Sequence, residues 1–294
     1  MPRIRSESLW GYIFISPWLI GFLGLIAGPM LASLYLSLTN YDLKHADFVG
    51  AANYQRLYAD PLFWKALINT VLYTALAVPL GLTGSLLLAV LLNQELRLKG
   101  VWRACFYIPT LVPAVAASFL WGYVYNREYG LLNQVIGAAG IPKQGWLETT
   151  HWALPALVMM SLWTIGGGRM IIFLAGLQNI PTSLYEAAAI DGAGRWRQFW
   201  HVTLPMLSPV IFFNMILGAI GAFQVFTQAF LITKGGPDDA TLFYALYLFR
   251  MAFEQFKFGY ASALAWVLFV ILAGLTALQF YLARHWVHYE GERK

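Results

Sequence analysis

The chain has 294 residues, of which 59% are hydrophobic and only 11% charged, where a soluble domain carries about 25% charged side chains. That excludes a water-covered globular protein and reads as an all-α, polytopic membrane chain. The formal charge of +5 does not point to nucleic acid, because the basic residues are scattered between apolar stretches, as membrane topology scatters them.

In chain order, a short basic tail, Met1–Glu7, leads into the first apolar run, Trp10–Leu38, interrupted by Pro17 and Pro29. This run is too long for the apolar region of a signal peptide and lacks a convincing cleavage site, so it reads as an uncleaved span. Asn40–Asp60 is a polar and aromatic loop with a short helix expected over Ala52–Tyr58. The second span, Ala66–Asn93, contains Gly81, Gly84 and Ser85, small residues that permit close helix contact. Gln94–Arg103 is a short basic connection, and Phe106–Tyr125 is the third span, entered through Pro109 and Pro113. The loop Asn126–His151 is expected to form two short surface helices around residues 138–142. Trp152–Leu177 is the fourth span, Pro181–Pro205 a mixed connection, and Pro209–Ile232 the fifth span. The turn-rich Thr233–Pro237 follows, then the sixth span, Tyr260–Leu282, and a polar tail, Arg284–Lys294.

Orientation follows from the basic residues. With both termini on one side, that side collects Arg3, Arg5, Arg97, Lys99, Arg103, Arg195, Arg197, Arg284, Arg293 and Lys294. The other side carries Lys44, Arg56, Lys65, Arg127, Lys143, Lys234, Arg250 and Lys257, over longer loops. Density in the short connections favours cytoplasmic termini.

The chemistry is narrowed by what the sequence lacks. The spans hold no aspartate or glutamate, the groups that ion-driven carriers place inside the membrane. There is no G-x-x-x-x-G-K-[ST] phosphate loop, no H-E-x-x-H pair and no C-x-x-C, so nothing points to a nucleotide site, a metal or an enzyme. The histidines (His45, His151, His201, His285, His288) form no metal-ligand spacing. The one cysteine, Cys105, excludes a disulfide framework and is expected to be a small buried hydrophobe.

The mixed connection is the most informative stretch. Ser183–Glu186 has the capping-box form, a hydroxyl followed three residues on by a carboxylate. An alanine-rich helix over Glu186–Ile190 follows, and Asp191-Gly192 reads as a turn. From Gly194 a second helix is expected, with Trp196, Phe199, Trp200 and Thr203 at spacings of three and four, ended by Leu204-Pro205. The segment reads as a helix–turn–helix elbow at the membrane surface.

Glu186-Ala187-Ala188, Asp191-Gly192-Ala193, Phe199 and Leu204-Pro205 resemble, at matching spacing, the EAA loop of permease subunits in binding-protein-dependent ABC importers. The resemblance extends over most of the chain. Phe48–Gly50, Asn53-Tyr54, Tyr107–Pro109, Pro113, Tyr129–Asn133, Thr233–Pro237 with Thr241, and Phe258–Ala263 look like the sugar-permease branch, similar to the larger maltose-type subunit. Against that subunit the chain is shorter, with one span ahead of the core and no large periplasmic insert, which puts detailed substrate analogy aside.

The resemblance implies a six-span, type I ABC importer permease fold in a bacterial or archaeal inner membrane. Its organisation would be an N-terminal part, 1–64, a transmembrane domain, 65–284, and a tail, 285–294. The implied partners are a second homologous permease, two copies of an ATP-binding subunit and an extracytoplasmic solute-binding protein, with ATP and magnesium on the ATPase rather than on this chain. The coupling residues would be Glu186, Ala187, Ala188, Asp191, Gly192, Ala193, Leu204 and Pro205. The substrate would be a sugar or oligosaccharide; alternatives are glycerol phosphate or another small solute in the same class, an ion-independent secondary carrier, or a membrane scaffold that uses the elbow only to dock a partner.

A substrate path should gather the polar groups of the spans, which are expensive against lipid. Asn214, Gln224 and Gln228 of the fifth span qualify, the two glutamines sharing a helix face, with Thr110, Ser161 and Thr164 from neighbouring spans. Phe223, Phe226 and Trp163 would supply flat apolar surfaces for sugar C–H faces. Arg169 is the one charge near mid-span. Facing the path it would favour an anionic substrate, such as a phosphorylated polyol. With the span ending roughly 12 Å further on, the default expectation is that it snorkels to the interface. Gly166–Gly168 are expected to allow close packing or a kink.

Overall fold

The computed structural model describes residues 3–95 and 97–288, with side chains from Leu9 onward. The predicted tail beyond His288, with Arg293 and Lys294, lies outside the described residues. The described residues are almost wholly helical, their only strand-like pairing being an isolated antiparallel bridge between Thr39 and Phe48. They form two compact units, Met1–Asp60 with Leu248–Val270, and Pro61–Tyr247 with Ile271–Lys294, a division that the linear reading of the sequence did not contain.

In the first unit, α1 (Arg3–Phe22) passes through a wide π-type turn, Leu23–Ala27, into α2 (Gly28–Ser37). Pro17 is accommodated inside α1, and Pro29 follows the wide turn in the first turn of α2, so neither proline stops the run. Trp10, Phe14, Trp18 and Phe22 are exposed, which suits a lipid-facing ladder. The short helix α3 (Ala52–Ala59) forms where it is expected. Its Asn53 side chain donates to the carbonyls of Ser37 and Thr39, both at 2.8 Å, satisfying backbone acceptors at the end of α2. Tyr54 adds a 2.8 Å bond to Ser37 Oγ. Gly259 lies so close to this segment that a Cβ on it would meet Thr39 O at 2.1 Å. The Tyr260 hydroxyl donates to Asp60 at 2.7 Å beneath the Arg56 guanidinium. The Asn53-Tyr54 and Gly259-Tyr260 pairs thus hold one loop from two sides.

The second unit is organised on α4 (Pro61–Asn93), 33 residues with Pro79 inside, about 50 Å at helical rise. α5 (Lys99–Tyr107) runs through a tight 3₁₀ turn, Ile108–Leu111, and bends by 93° at Val112-Pro113 into α6 (Ala114–Val124). Cys105, on α5, is exposed rather than buried. The following loop holds one helix, α7 (Leu131–Ala138), not two: Gly140, at φ +76°, ends it, and residues 141–145 have no regular structure. Next come α8 (Thr150–Leu162), α9 (Gly168–Gln178), α10 (Thr182–Ile190), α11 (Arg195–Gln198), a π-type turn, Phe199–Thr203, α12 (Leu204–Met206) and α13 (Ser208–Phe223). α14 (Tyr244–Phe249) and α15 (Phe258–Ala283) complete the order.

Three expected spans are continuous apolar helices, Leu9–Ser37, Pro61–Asn93 and Phe258–Ala283. Two are bent pairs, α5 with α6 and the α11–α12 segment with α13, the latter bent by 63°. The expected fourth span is two shorter apolar helices, α8 and α9, parted at residues 163–167. The reason for that break is steric. A Cβ on Gly166 would lie 2.1 Å from Phe106 O, and one on Gly167 2.4 Å from Thr110 Cγ2, so the chain crosses α5 where only glycine fits.

The core of the second unit joins Leu88, Ala89 and Leu92 of α4 to Met170, Phe173, Leu174 and Leu177 of α9, with Ile180 and Leu207 beyond. Tyr185, Val202, Met206 and Val210 pack on it. The elbow is therefore mounted on the same core that fixes α9.

Candidate functional site

The elbow forms, but with different end chemistry. α10 begins at Thr182, its N-cap is Pro181, and no side chain caps it. Ser183 lies inside the helix, so the expected capping box is absent. The far end obeys the sequence: Gly192 has φ +76°, its N–H donates to Ala189 O at 3.0 Å, and the Ala193 N–H reaches Ala188 O at 2.9 Å. This is a Schellman pair, which needs a residue without a Cβ at the left-handed position.

The second arm is α11 and its π-type turn, in which the Leu204 N–H reaches Phe199 O, five residues back. Leu204-Pro205 does not end this helix as expected. The wide turn shifts the hydrogen-bond ladder, and Pro205, which has no N–H to place, starts α12. The Tyr185 and Thr203 hydroxyls lie 3.0 Å apart and pin the arms together, and Gln198 donates to Ala193 O at 3.0 Å. Glu186, Ala187, Asp191 and Gly192 are exposed, and Ala188, Ala193, Leu204 and Pro205 half-buried. Ile190 and Trp196 protrude, 87% and 74% exposed. The elbow is a rigid, partly apolar knob.

The second feature is a cavity of about 830 Å³ in the second unit, within the size range of small-molecule sites. Thr110, Ser161, Thr164, Gln224 and Gln228 line it, with Trp163 and Phe226. Asn214 and Phe223 do not. Asn214 is buried and donates to Val210 O of its own helix at 2.9 Å, and Phe223 is packed in the core. Gln224 and Gln228 reach the cavity without sharing a helix face, because α13 stops at Phe223 and the chain resumes helical form at Thr227.

Sequence reasoning missed one wall. Tyr73, Ala77, Gly81 and Ser85 of α4 line the cavity at intervals of four, one stripe of a helix, and that spacing is the signal that could have found them. Arg169 also lines the cavity rather than snorkelling. Its Nη1 lies 3.0 Å from where a Cβ on Gly81 would stand, and its Nη2 3.3 Å from the same point on Gly218. Both glycines lie well inside long helices, and they leave a slot that directs the guanidinium inward.

The hydroxyls divide the hydrogen-bonding work. Thr110 donates to Tyr107 O at 2.7 Å, Ser161 to Val158 O at 2.6 Å, Thr164 to Ser161 O at 3.0 Å and Ser85 to Ile165 O at 2.7 Å. With their protons used on backbone, Thr110 and Thr164 offer acceptor lone pairs to the cavity, while Ser161 also meets the Tyr73 hydroxyl and Ser85 is fully buried. Donors come from the glutamine amides and Arg169. No carboxylate is among the lining residues. The cavity can hold a hydroxyl-rich solute and has flat aromatic surface beside it.

On the side of α7, Asn133 stitches the 126–146 loop. Its amide donates to Arg127 O and Gln144 O at 3.0 and 2.9 Å, and its oxygen accepts from Gln144 N and Trp146 Nε1 at 3.0 and 2.9 Å. Across the same loop Lys143 donates to Glu128 at 2.7 Å, and this ammonium holds the Glu128 carboxyl below the ordinary glutamate range. The Thr233–Pro237 loop is closed by Thr241, which donates to Gly236 O at 2.7 Å beside the Thr233 hydroxyl.

An elbow carried on the membrane helices that enclose a polar cavity defines the class of membrane permeases worked by a separate partner. Residues 63–288 match the family described as binding-protein-dependent transport system inner membrane component, and the chain belongs to that family. It is 42% identical to the probable ABC transporter permease protein YesP of Bacillus subtilis (strain 168), over 99% of this chain and 96% of the relative. It is 38% identical to the lactose transport system permease protein LacF of Rhizobium radiobacter, over 95% and 96%. In fold it is similar to a chain in the crystal structure of a bacterial alginate ABC transporter in complex with alginate pentasaccharide-bound periplasmic protein, with a TM-score of 0.82 at 22% identity, over 96% of each chain. The protein is a multi-pass, type I ABC importer permease subunit, a transport component and not an enzyme.

Proposed function

We propose that this chain moves a sugar or oligosaccharide, delivered by an extracytoplasmic binding protein, into the cytoplasm, as one of two homologous permeases driven by two ATP-binding subunits. In this reading ATP and magnesium bind on the partner subunits, both termini are cytoplasmic, and the elbow carrying Glu186, Asp191 and Gly192 seats in the ATPase. One observation carries the proposal: elbow and cavity share α9. Leu174 and Leu177 of that helix sit in the core under Tyr185 and Leu207, while its first turn, with Gly168 and Arg169, is cavity wall. A shift of the elbow is thereby carried about 16 Å along one rigid helix to the cavity wall. The sugar assignment is supported by the lactose system to which one relative belongs and by the supply of acceptors and donors around the cavity.

The test is purification in mild detergent from the native host, then reconstitution with whatever ATP-binding subunit, second permease and binding protein accompany it. Uptake of the sugar held by that binding protein should require ATP hydrolysis. Uptake without ATP by this chain alone would replace the proposal with a secondary carrier.

A further inference from the structure

Resting on the importer reading above, we infer that the cavity is built for a saccharide bearing an oxyanion, a sugar carboxylate or sugar phosphate, and that Arg169 is the group that selects it. A guanidinium placed inside a membrane bundle for structural reasons pairs with a carboxylate or with backbone carbonyls. Arg169 takes part in none of the ion pairs among the described residues. Its surroundings are instead an arrangement that leaves its charge available. Gly81 and Gly218 flank the guanidinium without side chains, Tyr73 and Gln228 stand beside it on the cavity wall, and no lining residue carries a negative charge.

The neutral groups of the wall are consistent with that role. Thr110 and Thr164 give their protons to backbone and face the cavity as acceptors, which suits sugar hydroxyls and is unfavourable for an anion. An oxyanion entering the cavity would therefore be directed to the one strong donor, the planar fork of Arg169, which matches two oxygens of a carboxylate or phosphate. The neutral ring would lie among the acceptors and against Trp163 and Phe226. The charge and the hydroxyl acceptors thus prefer different parts of one solute, and Arg169 determines which sugars are accepted.

The electrostatic part can be read without knowing the substrate. In the full complex, Cys105→Ser removes this chain's only native thiol, Thr164→Cys places one on the cavity wall, and labelling is read on this chain alone. The rates of modification by the anionic ethylsulfonate and the cationic ethyltrimethylammonium methanethiosulfonates are then compared. The anionic reagent should be favoured, and Arg169→Gln should lower the anion-to-cation rate ratio about tenfold, while Arg169→Lys keeps it. Equal rates in the Arg169 protein, a ratio unmoved by Arg169→Gln, or no modification by either reagent would each overturn the inference. Protection of the same thiol by digalacturonate or by glucose 6-phosphate, and not by lactose, identifies carboxylate or phosphate as the anion; equal protection by lactose overturns the selectivity. These readouts need no ATP. An importer failure, seen as loss of ATP-dependent uptake, is therefore separable from a failure of charge selection.

Discussion

Replacing Gly192 tests the elbow most directly, because the structure separates conformation from space at that residue. Gly192 sits at φ +76° with nothing within 4 Å of where a Cβ would stand. Gly192→Ala therefore carries only the left-handed backbone penalty, about 1–2 kcal/mol. Gly192→Pro is different in kind, since proline holds φ near −65° and has no N–H. The turn must then abandon the Gly192–Ala189 and Ala193–Ala188 bonds, about 2 kcal/mol for the pair, and present the tip of the elbow in a different shape. The damage stays local, because α10 and the π-type turn remain tied through Tyr185 and Thr203. Thermal unfolding of the solubilised chain should shift little for either variant. Co-purification with the ATP-binding partner and ATP-driven uptake should weaken modestly in Gly192→Ala and be lost in Gly192→Pro. Normal capture and uptake in Gly192→Pro would refute the coupling role of the elbow.

Ser183→Ala should change stability by less than about 0.5 kcal/mol, where a true N-cap would lose about 1, because Ser183 lies inside α10 and Pro181 occupies the N-cap position; thermal unfolding in detergent distinguishes the two. Gly166→Ala should destabilise by about 1–3 kcal/mol, since the added methyl meets Phe106 O at 2.1 Å, while Gly168→Ala, with open space around it, is the matched control in the same assay. The Glu128–Lys143 pair gives a pH signature. A carboxyl held low in the folded state contributes in full above its unfolded value near 4.3 and loses that contribution as pH falls through the lower folded value. The protection of residues 126–149 against hydrogen exchange, taken relative to the intrinsic rate at each pH, should be level from about pH 7 to about pH 5 and fall below about pH 4. Lys143→Met should remove that acid step.

Much of this was legible in residue order. Gly192 and Gly140 end helices where glycine is the cheapest residue to place at positive φ, and the short helix beginning at Ala52 was visible as a polar-apolar patch. Thr110, Ser161, Thr164, Gln224 and Gln228 could be named because polar side chains in apolar spans have few other uses. What hydropathy hides is continuity. A window over residues 152–177 averages across Gly166 and Gly167, whose meaning lies in neighbours, Phe106 and Thr110, some sixty residues earlier. The same limit misled on Asn214, whose partner is a carbonyl one turn back in its own helix, and on Ser183, which lies inside α10 because the helix starts at Thr182 with Pro181 in the N-cap position. Arg169 was misread because counting residues to the span end measures reach, whereas direction is set by Gly81 and Gly218 on other helices.

The breaks themselves carry the strongest argument that the cavity is a path and not a packing fault. Within a membrane, non-helical backbone is tolerated only when it is enclosed by protein or lines a wet cavity. Three interruptions fall inside the expected spans of the second unit, at 108–113, at 163–167 and at 224–226. Each contributes to the same wall, through Pro109 to Pro113, through Thr164, Ile165 and Gly167, and through Gln224 to Phe226. A packing fault would be expected beside one irregular segment. Convergence of three, from helices distant in sequence, on one polar cavity means that the exposed peptide groups have a common solvent or solute to meet. α9 is fixed to the elbow by its core residues at one end and joined to α8 only through the glycine-bearing break at the other. In the proposed function, motion of the elbow would thus be relieved at the cavity, where the solute would be held.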